Sequence, residues 1–115
     1  MNLEGTQTLH NLMRAFAGES QARNRYTFAA QTAQAEGYQQ IKNIFQETAD
    51  NEKEHANVFY NYLVEGLQGN IPATVFLEHA GYPVFAGDTM ENLNEAAHNE
   101  HEEWADIYPT FARCV

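Results

Sequence analysis

Glu52 and His55 stand three residues apart in "NEKEHA". On a helix that spacing sends both side chains off one face. A carboxylate placed this way can bridge two metal ions while the imidazole binds one of them. A lone ExxH arises often by chance, so its surroundings decide its meaning. Glu19 in "AGESQA" and Glu100 with Glu103 in "NEHEEW" are the other acids that bear on the question.

Three helical segments must position these residues. The first runs from about Thr6 to Glu36, with a seam at 9, 12, 16, 19, 23, 26, 30 and 33, and Gly37 follows as a left-handed stop. The second runs from about Gln39 to Glu65, with a seam at 41, 45, 48, 52, 55, 59 and 62, and Gly66 and Gly69 end it. The third starts near Asp88, where "DTME" reads as a capping-box variant, and its seam is 93, 97, 100, 104, 107 and 111. Between the second and third lies "GNIPATVFLEHAGYPVFAGD". A loop that long is uncommon in a compact domain unless it has a function or an architectural task. Here the task is a crossover along a helical bundle, as in ferritin-like folds. The expected class is all-α, a four-helix-bundle type with a long connection between helices 2 and 3.

Glu19, Glu52 and Glu100 therefore fall on core-facing seams, and Glu103 lies beside one. An ionised carboxylate left unpaired in a bundle costs several kcal/mol, and neighbouring carboxylates also repel. Arg23 and Arg25 could offset one acid each, but the other seams carry no Lys or Arg. Two divalent cations would balance Glu19, Glu52, Glu100 and Glu103. Metal-free readings compete: a buried pair of Glu52 with His55, a salt bridge from Glu19 to Arg23, and a surface position for Glu103. Tyr26 and Tyr108 fill core space, or their hydroxyls orient a ligand carboxylate. Glu54, Glu102, His98 and His101 read as solvated, and His10 and His79 lack a partner pattern.

Composition narrows the class. The 115 residues suit one domain, with 43% hydrophobic and 19% charged residues. A net charge of -10 disfavours nucleic acid and anionic membranes, both of which recruit basic faces. The single cysteine, Cys114, excludes a disulfide framework or thiolate cluster within one chain. The sequence has neither a signal-peptide pattern nor an apolar run of the ~18 residues that marks a membrane span. The expected location is the cytoplasm.

"NLMRAFAGESQARNRYTFAA", "IFQETADNEKEHANVF" and "NEHEEWADIYPTFA" resemble the first three helices of rubrerythrin, a ferritin-like di-iron family. The resemblance covers essentially residues 1–115 and coincides with the family's ligand positions. It implies that Glu19 is a first-helix ligand, Glu52 and Glu100 bridge two iron ions, and His55 binds one of them. It further implies that Glu103 exchanges with His55 as the oxidation state changes, and that the Tyr26 and Tyr108 hydroxyls support ligands. Manganese or zinc could replace iron. The implied activity is reduction of hydrogen peroxide to water.

Two departures from the family shape the expectation. One cysteine cannot build the family's C-terminal rubredoxin domain, so electrons must come from a separate, rubredoxin-like donor. The family's fourth helix, bearing a second ExxH, is absent from this sequence. Truncation, supply of that helix by another polypeptide, or pairing of two chains through their first two helices would each account for it. The third would make a helix-swapped homo-oligomer, at least a dimer. Two rival functions remain: iron oxidation or storage without peroxidase turnover, and a metal-free helical interaction module.

Overall fold

The computed structural model describes the backbone of residues 2–102 and the side chains of residues 2–98. Three helices account for most of it: α1 (Gln7–Ala35), α2 (Gln39–Gly66) and α3 (Thr89–Glu102). There is no strand among the described residues. This is the all-α, ferritin-like architecture expected above.

Each helix boundary has a local cause. Thr6 caps α1, its hydroxyl accepting from the Leu9 amide at 3.2 Å. At the other end Gly37 takes φ +85°, the Tyr38 amide donates to the Ala33 carbonyl at 2.9 Å, and the Gly37 amide donates to that of Gln34 at 3.1 Å. These are the two bonds of a Schellman motif. They reverse the chain within three residues and lay α2 antiparallel against α1. The capping box of α3 forms as expected: the Glu91 amide donates to Asp88 Oδ1 at 2.8 Å, and the Asp88 amide donates to Glu91 Oε1 at 3.1 Å.

The end of α2 differs from expectation. Gly66 belongs to the helix, and the first left-handed residue beyond it is Gln68, at φ +48°. Gly66 is needed for a close approach instead. Leu3 lies across it, so a Cβ there would meet Leu3 Cδ1 at 2.9 Å, and the Leu3 amide donates to the Gly66 carbonyl at 2.7 Å. Gly69, at φ +84°, completes the exit.

Two apolar clusters lie along the α1–α2 seam. One joins Ala22, Tyr26, Ala30 and Ala33 to Phe45 and Ala49, and Leu93 and Ala96 of α3 pack against it. The other joins Leu9 and Leu12 to Leu63 and Leu67. Residues 67–88 carry the chain from that second cluster to the start of α3, which sits beside the C-terminal end of α1. This is the lengthwise crossover. Val75 packs against the second cluster, and Arg14 Nη2 donates to the Glu78 carbonyl at 3.1 Å. Burial pushes the Tyr82 hydroxyl above its ordinary pKa, with the Arg14 charge opposing.

The seams themselves need correction. On α2 the buried line is Phe45, Ala49, Glu52, Ala56 and Leu63, whereas Tyr62 is 52% exposed and Thr48 half-buried. On α3 the packed residues are Leu93 and Ala96, and Ala97 is exposed. Trp104, Ile107 and Phe111 of the expected third seam lie outside the described residues.

Candidate metal centre

The antiparallel register of α1 and α2 brings the acids together. Tyr26 stacks on Phe45, ring centroids 6.2 Å apart. Glu19 lies two turns before Tyr26, and Glu52 lies two turns after Phe45. In antiparallel helices these two positions must then share one level. Alanines surround both: Ala15 and Ala22 flank Glu19 by four and three residues, and Ala49 and Ala56 flank Glu52 by three and four. All four are buried. Their small side chains let the helices approach closely at that level.

Glu19 and Glu52 are 4% and 7% exposed. His55 Nδ1 lies 3.7 Å from Glu19 Oε2 and 4.0 Å from Glu52 Oε2. Each of the three residues offers a donor atom within 4.8 Å of the others. Protein donors sit about 2.0–2.2 Å from a bound transition metal, so two ligands of one ion lie at most ~4.4 Å apart. The two measured distances to the imidazole fall within that limit. Two carboxylate oxygens and one imidazole nitrogen also suit first-row divalent metals.

Glu52 Oε2 tests the fit from another side. It is buried and accepts no hydrogen bond among the described residues. A buried carboxylate oxygen in that position costs free energy that a cation would recover. The salt bridge from Glu19 to Arg23, weighed above, does not form among the described residues, and the His55 imidazole approaches Glu19 instead.

His55 needs a correction. Its seam position implies burial beside Glu52, but its side chain is 56% exposed. The alanine line 49–52–56 takes the interior, and His55 stands at its margin, reaching back over the acids. Tyr26 is buried against Phe45 and under the Arg25 guanidinium, 5.7 Å from the ring centre. Its packing role is therefore visible. Glu54 and His98 are exposed, as expected of solvated residues. Glu100 lies on α3 with its side chain outside the described residues, and Glu103 and Tyr108 lie outside them altogether.

The flanking alanines are what the sequence reading missed. Their signal was present, since each lies three or four residues from its glutamate, but an alanine carries little weight in a hydrophobic stripe. A separate open groove of about 610 Å³ between α1 and α2 is lined by Phe16, Ser20, Arg23, Lys53 and Tyr60 among others. None of the three clustered donors lines it.

Helices, crossover and acid pair together define a ferritin-like helical protein with a carboxylate–histidine cluster between its first two helices. Residues 10–115 match the rubrerythrin family profile, and the chain belongs to that family. It is 56% identical to rubrerythrin-1 of Clostridium acetobutylicum over 97% of its own length and 56% of that protein's. It is 53% identical to rubrerythrin of Clostridium perfringens over 96% of its length and 55% of that protein's. Rubrerythrin of Nitratidesulfovibrio vulgaris is 43% identical over 97% of the chain and 55% of its own length. The chain thus spans about half the length of these curated relatives. No described helix is long and apolar enough to cross a membrane.

Proposed function

We propose that this chain carries the metal-binding part of a di-iron peroxidase that reduces hydrogen peroxide to water. The carrying observation is the convergence of Glu19, Glu52 and His55 at one level of the hairpin, in a chain of the rubrerythrin family. A pair of ferrous ions held there would supply the two electrons that cleave the O–O bond of the peroxide. Two further electrons, from an external rubredoxin-like protein, restore the ferrous pair, and two protons complete the two waters.

The residues divide the work by position. Glu52, buried between the helices, would hold the ions together with Glu100 of α3. Glu19 holds one ion from α1. His55, at the open margin, would hold one ion by its imidazole, and Glu103 would be the harder, anionic ligand that could replace it on an oxidised ion. The Tyr26 and Tyr108 hydroxyls orient ligand carboxylates. Manganese or zinc would occupy the same donors. The working form is a cytoplasmic homo-oligomer, at least a dimer, and pairing of hairpins from two chains is one way to complete the ligand set.

Glu52→Ala tests the proposal. Peroxide turnover by the iron-loaded protein is expected to vanish while circular dichroism keeps its helical signal. Unchanged turnover would remove the assignment. Accumulation of many irons per chain without peroxide consumption would support storage instead.

A further inference from the structure

We infer that Glu36 is a positioning residue: its carboxylate caps α3 and sets how that helix presents its metal-binding segment to α1. The inference rests on the proposed role of Glu100 and extends it to a residue that holds the opposite end of the described part of α3.

Glu36 is the C-cap of α1, at the tight turn into α2. Its Oε1 accepts from the Thr89 amide at 2.8 Å and also from the Thr89 hydroxyl. Thr89 opens α3 and is 1% exposed, the most buried polar residue described. Its amide is one of the donors that a helix start leaves without an intrahelical partner. A carboxylate there also meets the positive end of the helix dipole. The Glu91 and Asn92 amides are satisfied locally, by Asp88 Oδ1 and the Asp88 carbonyl. The Gly87 amide and carbonyl exchange bonds with the Asn92 side chain at 3.2 and 3.1 Å. Glu36 is thus the connection between this self-contained cap and the hairpin.

Register makes the connection matter. Positions 89, 93, 96 and 100 follow one another by fours and threes, so they share one side of a helix. Leu93 and Ala96 pack on the α1–α2 cluster, and Thr89 is fixed by Glu36 on the same side. Pinning Thr89 therefore fixes both the rotation and the height of position 100 relative to Glu19. Groups that hold ligands in place typically cost about 10–100-fold in metal affinity when removed.

Zn(II) affinity of the full chain, measured by competition with a chromophoric chelator, tests this. Glu36→Ala is expected to weaken the tightest site about tenfold, and Glu100→Ala to weaken it as well. The double variant should bind no more weakly than Glu100→Ala alone, because the cap acts through position 100. Glu36→Gln keeps an acceptor oxygen for both Thr89 donors and should recover most of the affinity. Thr89→Val removes one of the two bonds and should show a smaller loss in the same direction, a readout that survives if Glu36→Ala does not fold. A lower melting temperature with unchanged affinity would overturn the inference, as would losses that simply multiply in the double variant. Loss of binding in Glu52→Ala and Glu100→Ala with none in the two capping variants overturns the positioning role alone. No effect of Glu100→Ala overturns it together with the proposed ligand set.

Discussion

At the scale of single residues, the consequence of burying Glu52 is a chain that works against its own stability until a cation arrives. Glu52→Gln keeps the shape and removes the charge. The metal-free variant is expected to be more stable than the parent, because a neutral amide costs less to bury than a carboxylate. The parent should gain about 2.7 kcal/mol at Mn(II) a hundredfold above its dissociation constant, and the variant far less. Thermal melts with and without Mn(II) check both signs. Glu19 and Glu52 were legible because an acid on an apolar seam needs an explanation. The exposure of His55 was not, for a geometric reason. The lines 45–48–52–55–59 and 45–49–52–56–59 share Phe45, Glu52 and Phe59, and a helical period between three and four permits either. Burial follows the second, where alanines let α1 come close.

At the scale of elements, boundaries set by local chemistry were readable, and those set by distant contacts were not. The Schellman turn at Gly37 and the Asp88–Glu91 box are complete within a few residues. The reason for Gly66 lies in Leu3, far away in sequence, and the reason for the α3 rotation lies in Glu36. Ala96 rather than Ala97 faces the cluster, a second case of two seams sharing most of their members. Gln68 holds a left-handed conformation that suits glycine better. Gln68→Gly is therefore expected to stabilise the fold by about 0.5–1 kcal/mol, read as a higher urea midpoint at constant slope.

At the scale of the whole molecule, the crossover makes the chain a bundle whose third helix runs parallel to the second. Residues 67–88 form no helix, and they expose Phe76 at 80% and Val84 at 99%. Brief chymotrypsin treatment should cut first after Phe76 and leave the helices intact, which mass spectrometry of the fragments would show; earlier cleavage within α1 or α2 would contradict this order of accessibility. The length of the loop announced the crossover, but its path along α1, held by Arg14 and Val75, depends on contacts between residues far apart in sequence.

The alanines around Glu19 and Glu52 carry a last implication. The positions three and four residues from each acid carry only methyl groups, so no longer side chain from them fills the space between the helices. A guest that joins the His55 imidazole beside the two acids must therefore be compact. Selectivity for a small guest is thus built first from size, and the identity of the donor atoms refines it afterwards.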